Sequence, residues 1–388
     1  ATSQKIKATR ETRRMRINQN KTKAAGLAVI LSFHAFAGVC QAVEFRTTDQ
    51  VAKEAFISLP TVLRDNFKDF VIAGQPSSDP VTVLCNRISM QYAPFKWNAK
   101  RDGCTDSGIE WQTKLKSSTG SPLIFAEFGK GEMTTLILSG VHPDEITPIP
   151  LGFRFANYLQ ANRQIIPPDT RVVIAPLVNP DGFFRRVSSR VNGQGVDLNR
   201  NFFTQDWYAA AKNWWVTRRQ KNESHFPGHI PNSEIETLFQ IWLIDTYKPD
   251  KIISVHAPLG FYDYDGPGDQ KLRPLTESEE KARSLVQFMS ASSKNYKIVD
   301  YSFYPGSLGN YAGNERGIPT ITLELETTNP AKIDEYWNQF SPGLIQAVKF
   351  PFVNQSAPTA KGSSLFLEPY GYKTAQTILD EPAPLQSH

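Results

Sequence analysis

The sequence predicts an α/β fold, a mostly parallel or mixed sheet covered by helices on both faces. Three observations predict it. Short apolar, β-branched runs recur at 134–141, 171–178, 251–256 and 318–325. Stretches of helical spacing lie between them, at 146–162, 233–247 and 275–293. The chain has 388 residues, 40% of them hydrophobic and 21% charged, an ordinary balance for one large core or two smaller ones.

Taken in order, residues 1–42 read as a signal peptide with a basic extension. Eight basic side chains stand there against one acidic, Glu11, and an uncharged run Ala24–Val39 leads to Cys40-Gln-Ala42. A positive start, an apolar stretch and a small residue at a cut site mark a secretory signal. The run is short for a membrane span, which needs about 20 apolar residues. Export with cleavage is the expectation, leaving no stable transmembrane span in the mature chain; an uncleaved anchor is the alternative. The leader carries +7 of a total of +5, so the remainder nets −2. Such a remainder gives no reason to expect nucleic-acid binding.

Residues 43–130 lack strong periodicity and carry Pro/Ser/Gly clusters at 75–80 and 117–122. They read as a lead-in or small subdomain. Cleavage after Ala42 leaves two cysteines, Cys85 and Cys104, an even count that permits one disulfide in an exported protein. Two unpaired buried thiols are the alternative. Residues 131–350 then hold the alternating strands and helices of a catalytic domain. Ser233 and Glu236 have the spacing of a capping box for the helix over 233–247. Residues 351–388 form a Pro/Ser-rich tail expected to be poorly ordered.

The chemistry gathers at the ends of the apolar runs. His142 and Glu145 stand three residues apart where the run 134–141 ends, and His256 closes the run 251–256. All three fall at C-terminal strand ends, the edge of an α/β sheet where ligands collect. Two imidazoles and a carboxylate suit one zinc ion, with a fourth position left for water. Any one of these histidines alone would read as a satisfied core residue. The loop Arg190-Val-Asn-Gly-Gln-Gly-Val-Asp-Leu-Asn-Arg-Asn201 offers two guanidinium groups and an amide. These suit a substrate carboxylate and a developing oxyanion; for a single arginine, a solvated turn is the plainer reading. In Gly317-Ile-Pro-Thr-Ile-Thr-Leu-Glu-Leu-Glu326, strand alternation puts Thr322, Glu324 and Glu326 on one face. A carboxylate beside a metal-activated water is its natural proton acceptor. An edge strand with solvated glutamates is the competing reading. Trp207, Tyr208, Trp214 and Trp215 read as helix packing rather than a border for a sugar.

Together, His142-Pro-Asp-Glu145, Asn179-Pro-Asp-Gly182, Gly195-Val-Asp-Leu-Asn-Arg-Asn-Phe202, His256 and Thr322-Leu-Glu-Leu325 resemble the zinc metallocarboxypeptidases of carboxypeptidase A type. The resemblance covers roughly 120–345. It implies a single α/β domain with a mixed, mainly parallel eight-stranded sheet flanked by helices. It implies zinc on His142, Glu145 and His256, Glu324 as general base and acid, and Arg190 as oxyanion stabiliser. Asn199 and Arg200 would clamp the substrate's terminal carboxylate. Tyr301 and Tyr304 both qualify as the tyrosine that closes over substrate. Leu308 falls where relatives line the side-chain pocket, so Asp263, Asp265 or Glu326 would have to meet a charged substrate group. Tyr304-Pro-Gly-Ser-Leu-Gly309 and Val255-His-Ala-Pro-Leu-Gly-Phe-Tyr-Asp-Tyr-Asp-Gly266 are similar to the bacterial branch acting on peptidoglycan (murein) peptides. That branch cleaves the γ-D-glutamyl–diaminopimelate bond, a substrate met in the periplasm or cell envelope of a bacterium. An ordinary carboxypeptidase trimming C-terminal L-amino acids and a non-catalytic cell-wall peptide-binding protein are the alternative functions.

Overall fold

The structure, a computed structural model, describes residues 79–268 and 273–351. The expected leader over 1–42, the stretch 43–78 and the tail beyond 351 lie outside the described residues. Eight strands form one sheet: β1 (Gln112–Lys116), β2 (Pro122–Gly129), β3 (Met133–Ser139), β4 (Thr170–Ala175), β5 (Lys251–His256), β6 (Phe261–Tyr264), β7 (Ile298–Val299) and β8 (Thr320–Glu324). Their spatial order is β1-β2-β4-β3-β5-β8-β6-β7. The four central strands β4, β3, β5 and β8 are mutually parallel, while β2 and β6 join them antiparallel. This is the mixed eight-stranded sheet expected.

The central strands are apolar on both faces because helices cover both. Ile137 of β3 and Ile253 and Val255 of β5 enter one core, with residues of α1 (Pro80–Tyr92), α3 (Pro148–Ala161), α7 (Glu277–Ser292) and α8 (Ile333–Lys349). Leu136 and Leu138 of β3 and Ile252 of β5 enter the other, against α6 (Ile235–Tyr247). The remaining helices α2 (Ala99–Asp102), α4 (Pro180–Phe183) and α5 (Lys212–Arg218) are short.

Local signals start and stop these helices. Asp79 caps α1 by accepting from Thr82 N at 3.1 Å, with Pro80 at the first position. Thr276 and Glu279 form a reciprocal capping box on α7. At α6 the expectation is corrected. Glu234, not Ser233, is the N-cap, and no side chain caps it. Ser233 Oγ instead donates to Glu234 and accepts from Asn201, and the Glu236 carboxylate is taken by Asn192. Tertiary partners have claimed both box residues.

The boundary expected at 130 falls inside the sheet, between β2 and β3. Residues 80–129 supply two strands and pack Leu84, Ile88, Tyr92, Ile124 and Phe128 into the main core. The Ser/Gly-rich cluster at 117–122 is the turn of the β1–β2 hairpin, where Gly120 N donates to Ser117 O. Cys85 and Cys104 are bridged, tying α1 to the end of α2. Among the described residues no helix is long and apolar enough to cross a membrane.

Candidate active site

Strand β3 ends in a tight turn. Gly140 adopts φ +65°, and Glu145 N donates to His142 O at 3.1 Å, which brings both side chains to one side. Asn179 holds the strand end: its N donates to Gly140 O and its side-chain amide to Val141 O, while its oxygen caps α4 at Gly182 N. Asp181, next in that motif, accepts from Ser117, Ser118 and Thr119 of the β1–β2 turn. The Asn-Pro-Asp-Gly motif is therefore scaffolding for the turn that carries His142 and Glu145.

His256 ends β5, which pairs directly with β3. As a result His142, Glu145 and His256 converge, all buried. His142 Nδ1 lies 3.0 Å from Glu145 Oε1 and 3.1 Å from His256 Nδ1, and Glu145 Oε2 is 2.9 Å from His256 Nδ1. Two ring nitrogens facing each other at 3.1 Å share at most one proton. Around a tetrahedral zinc with bonds near 2.0–2.1 Å, neighbouring donors are roughly 3.3 Å apart. The donor set therefore fits that ion in type and spacing. Burial would raise the Glu145 pKa, but His142 and His256 outweigh it and hold the carboxyl far below its usual range.

The side chain behind this cluster is Asp197, to which sequence reasoning assigned no role. It is fully buried; its Oδ1 meets His142 Nε2 at 3.0 Å and its Oδ2 accepts from Arg190 Nε at 3.1 Å. A carboxylate on the far nitrogen of a ligand histidine fixes its tautomer and orientation. Despite burial, Arg190 and His142 keep Asp197 well below the ordinary carboxylate pKa. Arg190 also donates from Nη1 to Glu145 Oε1 at 3.1 Å, so its guanidinium faces the ligand cluster.

Asn199 and Arg200 follow in the same loop. Asn199 Oδ1 accepts from Leu308 N at 2.8 Å, which joins the loop to the segment 304–309. Arg200 is 6% exposed and packs against the rings of both Trp214 (5.0 Å) and Tyr304 (4.7 Å), which also contact each other. Its Nε is buried without a partner among the described residues. Burial lowers its pKa to about 10, with Asp197 opposing. Gly306 sits against the Arg200 carbonyl with no room for a side chain, and Trp207 Nε1 donates to that same carbonyl at 2.9 Å. Trp207 and Trp214 thus pack around Arg200 rather than simply within a helix. Of the two candidate tyrosines, Tyr304 packs on Arg200, whereas Tyr301 is 44% exposed, rests on Phe261 and has its backbone held by Asp263.

On β8, Thr322 and Glu324 are half-buried between buried neighbours, and Glu326, beyond the strand end, is exposed. The register sets Glu324 opposite His256 on one side and Phe261 on the other. Burial, then the charge of Glu145, pushes Glu324 up to about 8; a cation on the three ligands would draw it back down. Asp265 accepts from Thr322 Oγ1 at 2.6 Å and abuts Gly309. Burial and the nearby Asp263 push it up to about 8.

A family model described as zinc carboxypeptidase matches residues 111–342. The chain belongs to the zinc carboxypeptidase family. As a zinc carboxypeptidase it is a zinc-dependent peptide hydrolase. It is 30% identical over 215 residues to murein peptide amidase A of Vibrio campbellii, covering 54% of this chain and 77% of that protein. To murein peptide amidase A of Escherichia coli it is 32% identical over 147 residues, 37% of this chain and 57% of that protein. Among solved structures, carboxypeptidase A of Helicoverpa armigera shares the fold at a TM-score of 0.50. That match has 16% identity and covers 75% of this chain and 87% of the other.

Proposed function

We propose that this zinc carboxypeptidase is an exported exopeptidase that hydrolyses peptidoglycan stem peptides at the γ-D-glutamyl–diaminopimelate bond. One observation carries the exopeptidase reading: the buried guanidinium of Arg200, with an unpartnered N–H, lies in the same loop as Arg190, which reaches the ligand cluster. An unmet buried donor of this kind is costly and invites an anion. The two murein peptide amidases support the substrate class, and the basic leader supports export.

In this reading His142, Glu145 and His256 hold the zinc. When bound, the ion supplies a water of lowered pKa and polarises the scissile carbonyl. Glu324 accepts the water's proton and passes it to the leaving amine. Arg190, held by Asp197, meets the developing oxyanion, a contribution of about 3 kcal/mol by comparison with other oxyanion donors. Arg200 and the Nδ2 of Asn199 bind the free carboxylate of the leaving residue, with Tyr304 over the guanidinium and Tyr301 at the exposed rim.

The test is incubation of the purified protein with defined murein tri- and tetrapeptides beside ordinary peptides, followed by mass analysis. Tripeptide should yield diaminopimelate and the L-alanyl-D-glutamate dipeptide. Efficient release of C-terminal L-amino acids from ordinary peptides, with the murein peptides left intact, would replace this substrate with the ordinary one. Binding of murein peptides without any product would leave a cell-wall peptide-binding protein.

A further inference from the structure

The loop from Arg190 to Asn201 contributes four side chains to the site, yet it contains no regular strand and only one turn of helix, Leu198–Arg200. Something outside it must hold its shape. Its first anchor is Asn192, fully buried. The Asn192 side-chain oxygen accepts from Gln194 N and Val196 N, both at 3.1 Å, and so knits the turn 192–196 together. The amide nitrogen spends its two hydrogens on two carboxylates, Glu234 Oε2 at 2.7 Å and Glu236 Oε2 at 2.9 Å. The second anchor is Asn201, also buried. Its oxygen accepts from Glu234 N at 3.2 Å, and its nitrogen donates to Ser233 Oγ at 3.0 Å. Both ends of segment 192–201 are therefore pinned to one turn, 233–236, where α6 begins. Asp197, Asn199 and Arg200 lie between the pins, and Arg190 lies two residues before the first.

We propose that Glu234 and Glu236 are positioning residues: sharing the Asn192 amide, they hold the loop that aims Arg190, Asp197, Asn199 and Arg200 at the substrate. Neither touches the ligand cluster, and a helix start needs no second buried glutamate. Two carboxylates closing on one amide hydrogen pair repel unless one is protonated. The groups facing Glu236 are acidic, Glu234 on the same turn and Asp181 on α4. Arg185 reaches the loop from elsewhere, donating to the Asn192 carbonyl at 2.8 Å. Among the described residues Glu236 Oε1, and Gln240 Oε1 one helical turn on, are buried without a hydrogen-bond partner. Burial, reinforced by Asp181 and Glu234, pushes Glu236 up to about 7, the Asn192 bond opposing. The proton, which relieves the repulsion between Glu236 and its acidic neighbours, is present below that pH and is lost as pH rises through it.

This role rests on the proposed parts of Arg190 and Arg200, so the test includes a measurement that needs no substrate. Hydrogen exchange across 192–201 is followed by mass spectrometry in the full-length, zinc-loaded protein and corrected for intrinsic rates. Glu236→Ala should lower protection there by about tenfold or more, as expected for leaving a buried amide N–H of Asn192 without its acceptor. Zinc content should stay stoichiometric, and preference for free-acid over amidated peptides should fall by a similar factor. Glu236→Gln, which keeps an acceptor without a charge, should retain both and keep its protection above pH 7, where the wild type loses it. Unchanged protection in Glu236→Ala, or a Glu236→Gln variant as impaired as the alanine, overturns the proposal. If Glu236→Ala does not fold, Glu234→Ala reads the same protection, and no change there overturns it equally. Loss of protection without any peptidase activity would retain the anchor and reject the substrate reading instead.

Discussion

At the scale of single residues, the placement of Glu324 is the sharpest commitment. It sits across the β5–β8 ladder from His256, outside the group of three that could hold a metal, and among the described residues its Oε2 has only a long 3.4 Å contact with Leu259 N. A carboxylate so lightly held remains free to exchange a proton. Glu324→Gln should keep stoichiometric zinc by elemental analysis and lose about 10²–10⁴-fold in kcat, the usual worth of a general base. Near-normal turnover by that variant would remove the assigned role. Glu324 stood out in the sequence as a carboxylate inside a β-branched run. The grouping of His142, Glu145 and His256 was legible because His142 follows one such run with Glu145 three residues on and His256 closes another. Asp197 was not. An aspartate in a Gly-bearing loop reads as an ordinary turn residue, and it does accept from Asn199 N at 3.0 Å as a turn residue would. Only the fold shows His142 and Arg190 on its two oxygens. Glu236 was misread for a related reason: local spacing assigned it to a cap, while Asn192, 44 residues away in the chain, had the stronger claim.

At the scale of elements, the four central parallel strands announced themselves and the flanking strands did not. β3 and β5 are buried on both faces, and β4 and β8 nearly so, so all four read as apolar, β-branched runs. β6 has four residues and β7 two, too few for a period to register. β2 carries an apolar stretch but follows the Ser/Gly turn that made its neighbourhood look irregular. The disulfide belongs to this scale. It closes a sequence separation of 19 between α1 and the end of α2, whose cysteines and neighbouring Tyr92 and Trp97 are buried in the main core. Cys85→Ala with Cys104→Ala should cost about 3 kcal/mol from loop-closure entropy. Denaturant unfolding of the oxidised wild type against the double variant measures it; equal midpoints would mean the bridge does not restrain the unfolded chain.

At the scale of the whole molecule, the sheet's C-terminal edge gathers the site while its faces supply the core. His142 and Glu145 follow β3, His256 ends β5 and Glu324 ends β8, three parallel strands that lie side by side in that order. A cation there cross-links elements more than a hundred residues apart in the chain and binds only the folded state, so it adds to stability by mass action. With free zinc at about 1,000 times its dissociation constant, the gain is about 4 kcal/mol. Stripping the metal should therefore lower Tm by on the order of 10 °C. Calorimetry before and after chelation, with restoration on adding zinc back, checks this; an unmoved transition would show that these residues hold no ion.

Asp197 has a consequence for anyone who tries to dissect this enzyme. Its two oxygens meet His142 and Arg190, which in the proposed mechanism are a metal ligand and the oxyanion donor, so no substitution there can address one without disturbing the other. Loading such a variant with excess zinc would refill the site and still leave a misaimed arginine. Affinity for the cofactor and speed of the chemistry are, at this position, inherited together.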